Sequence, residues 1–243
     1  MITASVASLR TRRRGLQMVC KRILSQVDKL QVYLNYRNHV PYFLRRESKV
    51  EVLTAEDFGD MKDAGKFMWA DKVEGYHFTL DDDMIYPWDY VRRMIDKIEQ
   101  YDRKAIVGVH GASFTTTTPT KYYCDRFVFS YCEEVPQDII VHILGTGTMA
   151  YHADTIQFNI LDFPVGNMSD IWAALKAQRK QVPMVCIDRT KDWIISNNRF
   201  DAEPSIFRCL AMRPDRLDLI NAIQSIKKWR FFGRKMLENT CPR

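Results

Sequence analysis

Apolar residues come first in short runs and then at helical spacing. Residues 2–7 form a β-prone run, and a polar, basic stretch over 8–14 follows it. Leu16, Val19, Cys20, Ile23 and Leu24 then recur at the spacing of one helix face. Residues 30–34 and 50–53 read as the next two strands, so strand, helix and strand follow in the order of a βαβ unit and a parallel sheet. A fourth strand is predicted over 75–80, ending at Asp81-Asp82-Asp83. Pro87 precedes a helix whose Val91, Met94, Ile95 and Ile98 share a face, and residues 106–109 resume the sheet.

Beyond residue 110 the pattern loses its regularity. Residues 115–118 are polar, Tyr122, Tyr123 and residues 127–131 are aromatic-rich, and 141–144 are β-prone. Residues 170–180 predict a helix with Ile171, Ala174 and Leu175 inward, residues 184–187 a strand, and 217–237 a basic helix. With no internal repeat or low-complexity linker, the economical division is one domain over 1–243: a nucleotide-binding half over 1–110, an acceptor half over 111–216 and a helical basic tail over 217–243. The predicted class is α/β, with a Rossmann-like, mostly parallel central sheet flanked by helices and a more mixed second half.

Composition narrows the function classes. The 243 residues are 46% hydrophobic and 27% charged, enough apolar material for a sizeable core. No run approaches the ~18 apolar residues of a membrane span, and no basic-then-apolar leader opens the chain. The expected location is the cytoplasm. The six cysteines are scattered without close pairs, which fits a reduced compartment. Net charge is +6, with basic residues concentrated at 10–14, 45–46 and 227–235; the number alone suits a phosphorylated substrate, an anionic membrane or nucleic acid.

Three consecutive carboxylates after an apolar strand need a cause, because like charges repel and raise one another's pKa. A hard cation supplies one: Mg²⁺ or Mn²⁺ takes one or two carboxylates together with substrate phosphates and water. A solvated acidic turn is the competing reading.

The order Glu56-Asp57-Phe58-Gly59-Asp60, Asp63-Ala64-Gly65-Lys66-Phe67, then Gly75-Tyr76-His77-Phe78-Thr79-Leu80-Asp81-Asp82-Asp83-Met84-Ile85-Tyr86-Pro87 resembles bacterial family 2 glycosyltransferases. These are GT-A enzymes of capsule, lipopolysaccharide and related surface-polysaccharide assembly. The resemblance spans roughly residues 2–189 and includes Gly145-Thr146-Gly147-Thr148. It implies a nucleotide-sugar donor, UDP-linked, a glycan or lipid-linked acceptor, a Mn²⁺ or Mg²⁺ cofactor and no nucleic-acid partner. By position it implies donor contacts from Thr3, Ser5, Arg10, Asn35, Asp63, Lys66, Asp81 and Asp82, and metal ligation by Asp81 and Asp83.

The same resemblance places an acceptor-side base at Asp170, which opens Asp170-Ile171-Trp172-Ala173-Ala174-Leu175; helix capping is the alternative role, and Asp154 and Asp162 are rivals. It implies single displacement with inversion. One departure stands out: of the five histidines, His39, His77, His110, His142 and His152, none follows Asp170 to complete a metal site. Water, His152, Asp188 or Asp192 are the candidates for that place. Trp172, Trp193, Tyr122 and Tyr151 are candidates to stack on sugars, with Trp193 preferred.

Two rival classes stay open. A metal-dependent nucleotidyl or phosphoryl transferase would also use clustered aspartates, although no Gly-rich phosphate loop with Lys-Ser or Lys-Thr is present; an inactive glycan-binding protein could keep the fold. In the tail, the stripe Leu219, Ile220, Ile223 and Ile226 precedes Lys227, Lys228, Arg230, Arg234 and Lys235 interleaved with Trp229, Phe231 and Phe232. That pattern suits peripheral contact with the inner face of an anionic membrane, and equally a terminal helix packed on the domain.

Overall fold

The computed structural model describes residues 1–36, 39–197 and 217–230. Its strands are β1 (Ile2–Ser8), β2 (Lys29–Leu34), β3 (Val50–Thr54), β4 (Tyr76–Asp81), β5 (Met84–Ile85), β6 (Ile106–Gly108), β7 (Gly111–Phe114), β8 (Arg126–Phe129), β9 (Ile139–Val141), β10 (Ile143–Leu144), β11 (Thr148–His152), β12 (Met184–Cys186) and β13 (Ile195–Ser196). The described helices are α1 (Arg13–Ile23), α2 (Tyr42–Arg45), α3 (Ala55–Phe58), α4 (Tyr90–Gln100), α5 (Ser169–Lys180) and α6 (Leu217–Gln224).

Eight strands form one sheet in the order β3-β2-β1-β4-β11-β6-β12-β9. β1 to β4, β6 and β12 run one way, and β11 and β9 run against them. The result is the expected α/β class, a mainly parallel, Rossmann-like sheet with helices packed on it. Smaller sheets, β10-β7-β8 and β13-β5, sit beside it.

Strand alternation sorts the core into two layers. Ala4, Val6, Phe78, Leu80, Val107, Ala150 and Val185 face Leu16, Val19 and Ile23 of α1 and Val91, Met94 and Ile98 of α4, the stripes seen in the sequence. Ile106, Met149, Tyr151, Met184 and Cys186 face the other way, onto Ile171, Ala174 and Leu175 of α5 and the rings of Phe67, Phe158 and Phe163.

Three boundaries differ from the pattern. Residues 141–144 do not form one strand: the chain bends at His142, so β9 joins the large sheet and β10 the small one, and the His142 ring accepts from the Phe114 amide at 2.9 Å. β11 is buried along its whole length, so its run has no polar alternation to announce a strand. The tail helix ends at Gln224 rather than 237, and residues 231–237 lie outside the described ones.

In that tail, Leu219, Ala222 and Ile223 are buried in the second core layer. Trp229 is fully buried, its ring 4.9 Å from Phe114 and its indole N–H donating to Ile223 O at 3.2 Å. Leu219 and Ile223 of the stripe and the tryptophan are therefore spent on the domain, Ile220 and Ile226 are partly buried, and Phe231, Phe232, Arg234 and Lys235 lie outside the described residues. No helix among the described residues is long and apolar enough to cross a membrane.

Candidate functional site

Because β1 to β4 and β6 run the same way, their carboxyl ends open along one edge, where an α/β sheet binds ligands. Asp81 is the last residue of β4. β11 pairs antiparallel with β4, Thr148 opposite Leu80, so the turn just before β11 crosses Asp81. A Cβ on Gly147 would lie 2.1 Å from Asp81 Oδ2, so only glycine fits there. The fully buried Tyr86 hydroxyl locks this crossing: it accepts from the Asp81 amide at 2.9 Å and donates to Gly147 O at 2.6 Å.

The three aspartates separate on this turn. Asp81 and Asp83 stay half-exposed, whereas Asp82 is 3% exposed. Arg12 Nη1 donates to Asp82 Oδ1 at 3.0 Å and to Asp83 Oδ2 at 3.1 Å. Burial pushes the Asp82 carboxyl up to about 6, with Arg12 opposing the rise. Asp82, expected as a donor contact, is thus turned into the protein, where Arg12 supplies the compensating charge. Burial and the neighbouring Asp81 raise the Asp83 pKa, against Arg12 and Lys66.

A 3-10 helix over Lys62–Phe67 carries two more charged groups in. Gly65 lets it lie against the Tyr33 ring, which a Cβ would meet at 2.5 Å. Lys66 is 2% exposed and ion-paired with Asp81. Burial works against its charge, but Asp81 and Asp63 outweigh burial and hold its pKa above the usual value. Asp63 points the other way: its oxygens accept from the backbone amides of Asn167 and, at 3.0 Å, Ser169, at the start of α5. Both oxygens are therefore committed to the protein, which sets Asp63 apart from the ribose or diphosphate contact expected of it.

Asp170 lies in the first turn of α5, as its place in the sequence suggested. Its Oδ1 accepts from the Thr146 amide and hydroxyl, each at 2.7 Å. Burial raises its pKa, Thr146 opposes the rise, and Asp81 adds to it while Lys66 subtracts. Asp81, Lys66 and Asp170, distant in sequence, thus fall within one electrostatic neighbourhood. A carboxylate with a raised pKa held by one oxygen is suited to accept a proton.

Other sequence-predicted residues fall elsewhere. Thr3 and Ser5 are fully buried inside β1, short of its carboxyl end, because alternation turns them onto a closed face of the sheet. Ser5 takes part in a polar relay there. The distances fit one direction of donation: Tyr151 OH to His77 Nδ1 at 2.7 Å, His77 Nε2 to Ser5 Oγ at 2.7 Å, Ser5 Oγ to Gln31 Oε1 at 3.1 Å, and Gln31 Nε2 to Glu51 Oε2 at 3.2 Å. Arg10 is exposed in the 3-10 turn after β1, and Asn35 follows β2 with its amide donating to Lys62 O at 2.7 Å; both lie at the open edge.

The extra metal ligands do not converge there. His152 stands opposite Tyr76, at the far end of β4, beside Asp154. Asp188 is paired with Arg93 and Lys97, and Asp192 is exposed. Of the aromatics, Trp193 packs on the core under Arg93, 4.8 Å from its ring, and Tyr151 belongs to the relay. Tyr122 remains near Asp170, which helps burial raise its pKa.

Pattern reading missed Arg12, Thr146, His110 and Arg126. Arg12 carried a signal, since it stands just before α1, four positions ahead of the inward Leu16. His110 follows β6, and burial pushes its pKa down to about 4, helped by Arg126 and Arg189, with Asp81 opposing. Nothing in its local sequence marks it.

Among the described residues no group of three or more His, Cys, Asp or Glu side chains forms a metal cluster. Asp81 and Asp83 still fit a hard divalent cation that takes its other oxygens from water and substrate phosphate, since both carboxylates stay part-exposed at the open edge.

No family model and no curated protein matches the chain. A solved structure of similar course is a nucleotidyl transferase from Methanothermobacter thermautotroptrophicus, with a TM-score of 0.49 and 14% identity, covering 79% of this chain and 88% of that one. A likeness of that degree bears on neither activity nor ligand.

Proposed function

We propose that this chain is a metal-dependent, inverting glycosyltransferase of the GT-A type, moving a sugar from a UDP-linked donor to a hydroxyl of a glycan or lipid-linked acceptor. The observation that carries it is that Asp170 senses both members of the Lys66–Asp81 ion pair at the open edge of the sheet.

In this reading Asp81 and Asp83 would hold Mn²⁺ or Mg²⁺, which when bound would supply charge neutralisation for the donor diphosphate. Lys66 holds Asp81 in place through their ion pair and adds positive charge on the leaving-group side, and Arg10 and Asn35 border the nucleotide. Asp170 accepts the acceptor's hydroxyl proton as that oxygen bonds to the anomeric carbon. The bond from that carbon to the donor phosphate oxygen breaks, its electron pair leaving with the nucleoside diphosphate. Thr146 fixes the carboxylate through one oxygen and leaves the other for the proton.

Calorimetry of UDP with and without Mn²⁺ tests the donor site. Wild type should bind UDP more tightly with the metal, and Asp83→Ala should lose that gain while keeping its fold. Equal metal dependence in both proteins would refute the site. Product analysis with nucleotide sugars separates the classes: nucleoside diphosphate is expected, whereas pyrophosphate released from a nucleoside triphosphate would establish nucleotidyl transfer instead.

A further inference from the structure

The cleft edge so far described is dominated by carboxylates, yet on its other wall Arg126 has no ionic partner among the described residues. Arg126 opens β8, opposite Phe114 of β7. Its guanidinium lies over two rings, 4.0 Å from the centre of Tyr122 and 5.0 Å from that of Tyr123. Contact of this kind holds the guanidinium in place, with Tyr122 as a neutral hydrogen-bond partner that leaves its charge available to an anion.

The platform is built. Tyr122 is held edge-on by Phe114 at 6.4 Å, and Phe114 by the buried Trp229. The loop before Arg126 is closed by Asp125, whose Oδ2 accepts from the Thr120 and Lys121 amides at 2.9 and 2.8 Å. That carboxylate is consumed by its own loop. Among the described residues no carboxylate ion-pairs with Arg126, and its Nε is buried without a hydrogen-bond acceptor. An arginine held half-buried beside aromatic rings, with its counter-charge missing, is arranged for an incoming oxyanion.

Its place tells which substrate brings that oxyanion. Tyr122, beneath Arg126, senses the Asp170 carboxylate, so the platform stands on the side of the proposed base. His110, at the start of the turn into β7, senses both Arg126 and Asp81 and is neutral at pH 7, with its pKa down at about 4.

We propose that Arg126, on its Tyr122 and Tyr123 platform, is an oxyanion subsite that binds a phosphate group of the acceptor. The assignment to the acceptor rests on the glycosyl-transfer reading; the anion site itself does not. The acceptor class it selects is a phosphorylated one, a sugar phosphate or a diphosphate-linked lipid, rather than a neutral glycan end.

Inorganic phosphate titrated into ¹⁵N-labelled protein tests this, read on the Arg126 side-chain Nε–H resonance and the Phe127 amide. Saturable shifts of both are expected. Arg126→Gln should weaken phosphate binding roughly tenfold at the Phe127 amide. Arg126→Lys, which keeps the charge but loses the planar contact, should fall between the two. Equal affinity in wild type and Arg126→Gln, with both spectra folded, would overturn the subsite. Repeating the titration with UDP and Mg²⁺ at saturation separates the sources: retained phosphate binding supports the acceptor assignment, and displacement of phosphate by UDP overturns it. Phosphate bound at Arg126 in a protein that fails to bind UDP would sustain the anion site and sink the glycosyl-transfer reading.

Discussion

Two stretches of the same strand treat buried polarity in opposite ways. In the middle of β4, His77 is fully buried, and the relay from Tyr151 through His77, Ser5 and Gln31 to Glu51 gives each ring nitrogen and hydroxyl a partner. Burial pushes His77 down to about 3, so the relay is neutral at His77 at working pH. At the carboxyl end, Asp81, Asp83 and Asp170 meet around a buried lysine, with Asp83 and Asp170 raised above the usual carboxylate range. Neutral groups that satisfy one another stabilise and close a sheet. Acids crowded at an open edge are poised instead for a cation or a proton, and the difference separates a structural polar cluster from a chemical one.

The sharpest way to break that contrast is to alter the open end without touching the relay. Asp170→Asn should lower glycosyl transfer by about 10²–10⁴-fold while leaving UDP affinity in place, since the amide cannot accept the proton; steady-state rates with calorimetry in parallel check it. Near-normal turnover would move the base elsewhere.

The middle of the strand predicts a pH effect on stability. His77 is neutral when folded down to about 3, whereas unfolded histidine takes its proton at about 6.5. The folded pKa is depressed, so the stabilisation is complete above 6.5 and is lost as pH falls toward 3, by about 1.4 kcal/mol per unit. Urea unfolding between pH 7 and pH 4 should show this decline, shallower in His77→Leu by that amount. His110 and His142, both down at about 4, add to it in the same direction.

At pH 7 the same His77→Leu change should cost about 2 kcal/mol, because it leaves Ser5 and Tyr151 buried with one partner fewer. Unfolding measurements would show the loss, and metal-supported UDP affinity should not move. A loss of UDP affinity at unchanged fold would join the two regions that the comparison keeps apart.

The smallest effect is expected at Asp63, which ties the 3-10 helix of Lys66 to the start of α5. Asp63→Asn retains one acceptor and loses the other, so one of the Asn167 and Ser169 amides goes unpaired, at about 1 kcal/mol. The measurable sign is faster hydrogen exchange at those amides and a lower turnover with UDP affinity kept, because Asp63 holds the start of the helix that presents Asp170. Weakened UDP binding instead would return Asp63 to the donor.

The β-prone runs over residues 2–7, 30–34 and 75–80, in βαβ order with the stripes of α1 and α4, determined the parallel sheet and its first core layer, because the stripes record which side of a helix meets apolar neighbours. The same reading located the aspartate turn and the helix that begins beside Asp170. Which aspartate faces outward was decided only by the packing of Arg12 under the turn, and Thr3 and Ser5 were drawn into the sheet by cross-strand partners far along the chain. Asp63 was claimed by the amides of Asn167 and Ser169, more than a hundred positions later. Periodicity along a chain reports the side on which a residue is buried; the partner that satisfies its charge or hydrogen bond comes from another element, and only the assembled sheet brings the two together.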